Sequence, residues 1–543
     1  MIPIILVKPT PCSIYVCGLS PNDVRIPGMP YDRLKSRGRL PLTPFCAKSV
    51  IEAYPDAVIP DNIVRLAHAV DKLPELRKAA EDPLLPVPKS PHDWWPHQKN
   101  AFWFFVGLQR EGFKGAGLFS ELGSGKSKVA VGLADALNVQ LGLIIGPKSS
   151  RFVWHGQLRT HSERDYHIIL PDMRVPIKER YRRVLVRIKQ VRKSNPDQPI
   201  LVMTNYDGVW RPPFGDWALE QNWDLIIADE LHRIKGPKSK VSNFMAQLAE
   251  RTQFRLGLTG TPIHNRPKDV WAQFRFLDPG VFGLDYSEFH RRYGSITGDE
   301  SADSDLEKEF AEKLYSISFR AKGNLELPPV TKHAITEELV ESFEAYKKVE
   351  HSIKVGIRRG EITISNALTR LIRLQQITSG FVYDDDHILH VLGHEKENMF
   401  DDFMTDFPQN EPLVVFAQFH YDLDIIEAVS QKHGFKYNEY SGPRDEVQAW
   451  KLGKSDVLGV QIRAGAESVD LTRARHCLYY STGLSWGDYR QSVKRVHRAG
   501  QKRPVNYIHL VMADTIDEKL YRLLENRGNV IEALLSEYLE SER

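Results

Sequence analysis

Trp223-Asp-Leu-Ile-Ile-Ala-Asp-Glu-Leu-His232 is an apolar run that stops on two adjacent carboxylates, Asp229 and Glu230. Its apolar residues do not alternate with polar ones, so it reads as a strand covered on both faces, the mark of a parallel sheet flanked by helices. Leu141–Pro147, Ile200–Tyr206 and Arg255–Thr261 have the same character. Helical stretches separate them, which predicts one parallel sheet. A second group lies well downstream: Pro412–Gln418, Val457–Ile462, His476–Ser481 and Val505–Val511. Two such groups predict an α/β fold with two parallel-sheet lobes in tandem.

Breaks in composition set the expected boundaries. A Pro-rich linker, Pro83–Pro91, closes a small N-terminal α+β domain over residues 1–90. Lobe one is expected over 91–325, with an acidic, turn-rich break at Gly298–Asp305 near its end. From Leu306 to about Val382 the pattern is mostly helical, interrupted by Leu327-Pro-Pro329, so 326–400 reads as a helical inter-lobe insertion and linker. Lobe two follows over 401–515, then a charged amphipathic C-terminal helix over 516–543, interrupted at Gly528.

A chain of 543 residues is too long for one core, and its 42% hydrophobic and 26% charged residues are those of a globular protein. A net charge of +3 says little about partners, because a nucleic-acid groove needs only a local basic stripe. The opening Met1–Val7 run lacks a basic leader and a small-residue cleavage site, and no apolar stretch has membrane-helix length. Four cysteines, Cys12, Cys17, Cys46 and Cys477, are too few for a disulfide framework. The expectation is an intracellular protein without a membrane anchor; protein partners are not legible, and a monomer is compatible with the motifs.

Ser120-Glu-Leu-Gly-Ser-Gly-Lys-Ser127 precedes a helical run. Gly123, Ser124 and Gly125 can turn backbone N–H groups around phosphates, Lys126 can neutralise them, and the Ser127 hydroxyl can ligate Mg²⁺. Ser120 replaces the first glycine of the usual spacing, and by itself the string could be a chance glycine turn. The acid pair downstream answers that: Asp229 can hold the metal and Glu230 can orient and deprotonate an attacking water. His232 either couples nucleotide state to the other lobe or caps the strand end. Leu258-Thr-Gly-Thr-Pro-Ile-His-Asn265 ends another strand, where Thr259 and Thr261 can bond the acids and sense a γ-phosphate. In Gln491-Ser-Val-Lys-Arg-Val-His-Arg-Ala-Gly-Gln501, a helix would put Arg495 and Arg498 on one face. Two guanidiniums there would stabilise a transferred phosphoryl group, an effect worth about 10³ to 10⁵ in rate; a solvated basic helix is the other reading.

In this order the segments resemble the Swi/Snf-type ATPases of helicase superfamily two, from about Trp94 to Leu520. The resemblance implies RecA-like lobes, ATP and Mg²⁺ as cofactors, a nucleic-acid-stimulated ATPase, and catalytic roles for Lys126, Asp229, Glu230, Gln491, Arg495 and Arg498. Gln98 matches the family's adenine-reading glutamine. Pro147-Lys148-Ser149 and Trp154 resemble its first strand-contacting motif, and Phe416–Phe419 its fourth. Arg463-Ala-Gly465 matches the opening of its fifth motif, and Trp486 the tryptophan beyond. That fifth motif continues in the family with further glycines and an asparagine, where this chain has Ala466, Glu467, Ser468 and Asp470. Pro30-Tyr-Asp32 with Arg39–Leu42 resembles the small recognition module of annealing-helicase relatives; a plain packing domain is the alternative.

Lys148, Ser149, Thr204, Gln418 and Arg463 fall at or just past strand ends, where parallel sheets bind ligands, and with Trp486 they are the expected DNA contacts. Arg174–Lys193 carries nine Lys or Arg and one acid, with apolar residues at helical spacing. It reads as an amphipathic helix whose charged face is either solvated or an auxiliary DNA patch. The function expected is an ATP-dependent translocase on double-stranded DNA, with Lys126, Asp229 and Glu230 meeting Arg495 and Arg498 in one crevice. A strand-separating or annealing helicase, an RNA remodeller and a non-hydrolysing DNA-binding scaffold are the rivals.

Overall fold

The computed structural model describes residues 6–525 apart from 11, 83, 91–92, 121–122, 148–149, 172–174, 261, 264–267, 297–304, 321–326, 359–363, 385, 466–468 and 499. The chain divides into two units, Met1–Asn324 and Leu325–Arg543. In the first, seven strands lie in the order Ser318–Phe319, Gly115–Leu118, Thr252–Leu258, Trp223–Asp229, Leu141–Gly146, Ile200–Asn205, His167–Ile169. Every pairing is parallel. Helices cover both faces, so the central strands are mostly buried and have no need of polar alternation. Register positions the chemistry. Leu258 pairs with both Leu118 and Asp229, and Ile145 pairs with Ala228 and Thr204. The segments that follow these residues therefore leave the sheet along one carboxyl edge.

The N-terminal residues form an antiparallel sheet, in the order Leu6–Pro9, Ser13–Cys17, Arg37–Pro41, Tyr31–Asp32, packed on helices Pro44–Ala53 and Asp61–His68. Ile14, Val16, Leu40, Val50 and Ile63 give this part its own small core. It is fastened to the ends of two helices beside the large sheet by an ion pair between Arg39 and Glu250 and by Thr43, whose hydroxyl donates to Asp278 at 2.8 Å. The Pro-rich stretch is not an open tether: the Pro88 carbonyl accepts from the Trp94 indole at 2.8 Å, and Lys128 lies over that ring.

The second unit holds six parallel strands in the order Val330–Glu337, Val505–Met512, His476–Tyr479, Leu413–Ala417, Val457–Gln461, Tyr437–Tyr440. Val330–Glu337 corrects the helical reading of that stretch. It is an exposed edge strand, paired along its whole length with Val505–Met512, and one so exposed shows no apolar face in sequence. Tyr346, Leu371, Leu374 and Phe400 come from the helices that follow it and share the core of this second sheet.

A buried ion pair closes that core. Lys396 is 1% exposed and its ammonium lies 2.5 Å from Asp517, which also accepts from the Thr378 hydroxyl at 2.9 Å. Lys396→Met would strip a buried carboxylate of its cation, which costs about 3–5 kcal/mol. The urea midpoint read from tryptophan fluorescence (Trp450 is fully buried in this core) should fall accordingly. An unshifted midpoint would contradict this account.

Candidate active site

The helix Lys126–Ala136 opens directly from the glycine loop, with Gly125 at its N-cap and φ at +77°. That left-handed conformation suits glycine, and a Cβ there would sit 2.1 Å from Gln98 Nε2. The first N–H groups of the helix have no intrahelical acceptor, so the turn presents donors and the positive end of the helix dipole to an anion. Lys126 Nζ donates to the Ser120 carbonyl at 2.9 Å. Gln98 is 3% exposed; it donates to the Ser124 carbonyl at 3.0 Å and accepts from Trp95 N at 3.1 Å. His97, which sequence reasoning missed, has its Nε2 2.9 Å from the same carbonyl.

Asp229 ends its strand under tight packing. A Cβ on Gly146 would lie 3.3 Å from the Asp229 Cβ and 2.6 Å from Ser150 Oγ, so only glycine fits beside it. The Trp154 indole donates to Asp229 Oδ2 at 2.9 Å, and the Tyr206 hydroxyl donates to its carbonyl at 2.9 Å. Trp154, matched above to a strand-contacting motif, thus holds an acid of the site; only tertiary register brings the two together. Burial first, and then the charge of Glu230, push Asp229 up to about 6, with the Trp154 bond and Lys126 opposing.

Glu230 adopts the left-handed region at φ +55°, which swings its side chain out of the strand's alternation. It is 8% exposed, with Oε2 3.3 Å from His232 Nδ1. The same nitrogen lies 3.0 Å from Thr259 Oγ1. Thr259 N in turn donates to the Leu118 carbonyl at 3.2 Å, on the strand that leads into the glycine loop. One imidazole thus stands beside both Glu230 and Thr259, linking the ends of two neighbouring strands. Thr261, Lys148 and Ser149 lie outside the described residues. Ser127 stands on the first turn of the loop's helix. Thr204, next to last in its strand, is buried at 2% exposure.

In the second unit, helix Trp486–Val496 is capped by Ser485, which accepts from Asp488 N at 3.2 Å. Arg495 is buried near its end, and its carbonyl accepts from Leu471 N at 3.0 Å. The helix stops at Val496, so Arg498 does not share a helical face with Arg495 as expected. His497 turns away to reach the Pro328 carbonyl at 2.8 Å, and Gly500 has φ at +100°. Arg498 sits in the turn beyond, held by Arg498 N to the Val496 carbonyl at 3.2 Å and Gln501 N to the Arg498 carbonyl at 3.0 Å. Its Nε is buried without a hydrogen-bond partner among the described residues. Asp470 lies nearby: against its burial, the Thr472 N–H and the Arg498 charge hold its carboxyl below the usual range. Residues 466–468 of that divergent motif lie outside the described residues.

Gln418 leaves the strand Leu413–Ala417 with its N–H on Ser481 Oγ at 2.8 Å. Arg463 is exposed beyond Val457–Gln461. Gln491 and Trp486 are half-buried, with the Arg490 guanidinium 5.0 Å over the Trp486 ring.

The SNF2-related domain family matches residues 97–381, more than half of the chain, and the helicase conserved C-terminal domain family matches residues 395–500. Among curated proteins, an ATP-dependent helicase of Bacillus subtilis is 24% identical over 398 residues, which is 66% of this chain and 69% of that protein. The human SWI/SNF-related matrix-associated actin-dependent regulator of chromatin subfamily A member 1 is 27% identical over 330 residues. That alignment takes in 56% of this chain but only 31% of the human protein. Among solved structures, the Sulfolobus solfataricus SWI2/SNF2 ATPase core in complex with dsDNA is similar at 20% identity and a TM-score of 0.39, covering 84% of this chain and 98% of that one.

Proposed function

The chain belongs to the SNF2-related family and is a helicase-like ATPase, and from that premise we propose that it tracks along double-stranded DNA, driven by ATP hydrolysis. One observation carries the reading. The glycine loop, the acid pair and Thr259 all leave adjacent strands at a single register line, Leu118–Leu258–Asp229, so phosphate-binding and water-activating groups share one edge.

The residues present fit a divalent cation. Ser127 and Asp229 are hard oxygen donors of the kind Mg²⁺ takes, and a cation would offset the burial and like charge that raise Asp229. Bound there, Mg²⁺ would neutralise the β- and γ-phosphates. Lys126 and the loop N–H groups bind and orient the triphosphate. Glu230, oriented by His232, takes the proton of the attacking water. Arg495 and Arg498 supply the positive charge that the transferred phosphoryl group calls for. Gln418, Arg463 and Trp486 are the strand contacts in this reading, and Gln491 belongs with the arginines.

The test is ATPase rate on duplex, single-stranded and forked DNA and on RNA at a stated salt concentration, because polyanion affinity is salt-dependent. Triplex displacement and strand separation are measured alongside. Strongest stimulation by duplex DNA, with a third strand displaced, is expected. Equal stimulation by RNA, or strand separation without triplex displacement, would replace this reading with one of its rivals.

A further inference from the structure

Helix Ile177–Ser194 packs beside the edge strand His167–Ile169 and the short helix Phe214–Glu220, burying Val184 and Val191. Its outer face carries six exposed bases, Lys178, Arg182, Arg183, Arg187, Lys189 and Lys193, against one acid, Glu179. Glu179 is held by Arg182 and Arg183, each at 2.8 Å, and these bonds lower its carboxyl to about 2. A wholly solvated face would be polar throughout. This one is not: between the helix and Pro213 lies a groove of about 740 Å³ floored by Pro176, Leu185, Val186 and Pro213. Val186, in its lining, is 41% exposed. Lys178, Arg182 and Lys189, with Glu179 between them, complete the lining, three bases to one acid.

We propose that this groove on the first unit docks an acidic amphipathic segment of a partner protein. Charge complementarity and the apolar floor together select that occupant. Aliphatic side chains of such a segment would cover Leu185 and Val186 while its carboxylates pair with the three bases, the helix-in-groove mode of recognition. A nucleic-acid strand fits less well. Its bases need aromatic faces to stack on, and the described lining offers aliphatic, prolyl and charged side chains instead. Phosphates alone would use the lysines and arginine and leave the floor bare. The site uses none of the residues assigned to nucleotide chemistry, so its failure would leave the motor reading standing.

The test uses the full chain and a fluorescein-labelled peptide of about 16 residues, glutamates with leucines at helical spacing, followed by anisotropy. Binding is expected, weakened at least about tenfold by Val186→Asp and by Lys189→Glu, two exposed positions that spare the core. DNA-stimulated ATPase and its half-saturating DNA concentration should not move in either variant, which also shows that both fold. Equal binding of a glutamate peptide without leucines would overturn the proposal, as would peptide binding indifferent to Val186→Asp. A raised half-saturating DNA concentration with peptide binding unchanged would assign the face to nucleic acid instead.

Discussion

Glu230→Gln is expected to lower DNA-stimulated ATP turnover by about 10² to 10⁴-fold while leaving nucleotide affinity nearly unchanged. The amide keeps the volume of the carboxylate and one acceptor oxygen. The contact to His232 Nδ1, 3.3 Å in the native chain, can therefore persist, and with it the link to Thr259 at 3.0 Å. What is lost is a base. Asp229 cannot take over: Trp154 holds one of its oxygens, and the metal reading claims it as a ligand. Phosphate release at saturating ATP and DNA measures the first quantity, and titration with a fluorescent ATP analogue the second. The pairing is the test. Nucleotide affinity lowered as strongly as turnover would make Glu230 a structural residue of the strand end, and turnover within about twofold of native would remove it from the reaction.

The eight apolar strands are legible because both sheets are parallel and doubly covered, so burial leaves a continuous apolar run. Gly115–Leu118 escaped, although the glycine loop hangs from it. Two of its four residues are glycine, which carries neither periodicity nor strand preference. Val330–Glu337 escaped for the opposite reason, since an edge strand can be polar along its length and still be held by backbone pairing. In the site, residues that act through a local string could be named: Lys126 beside its glycines, and Asp229 and Glu230 at a strand end. Contacts made by reaching across could not, even where the residue itself was named, as Trp154 is for a different role. Trp154 and Tyr206 converge on Asp229 from separate elements, and His97 meets Ser124 across the loop. The helix over Gln491–Gln501 was overextended for a local reason. Helical spacing says nothing of the turn at His497, whose ring bonds a carbonyl far off in sequence.

That turn bears on the second large effect. Arg498→Ala is expected to spare nucleotide binding and lower ATP turnover by about 10³ to 10⁵-fold. Arg498 is not a helix-face arginine snorkelling into solvent. Backbone bonds at Val496 and Gln501 hold its main chain, and its Nε is buried without a hydrogen-bond acceptor among the described residues. A guanidinium so placed is a preorganised donor whose desolvation is already suffered in the free protein, which is what transition-state stabilisation requires. Asp470 beside it supplies counter-charge without a described hydrogen bond to that nitrogen. Removing the side chain also removes a cation that steadies Asp470, so some loss of stability is expected too. Arg498→Lys separates the two contributions: it keeps the charge near Asp470 but not the forked donors, so it should restore stability and not rate. If lysine restored turnover as well, charge alone would be at work. If alanine retained native turnover, the second unit would contribute no guanidinium to the reaction through this residue.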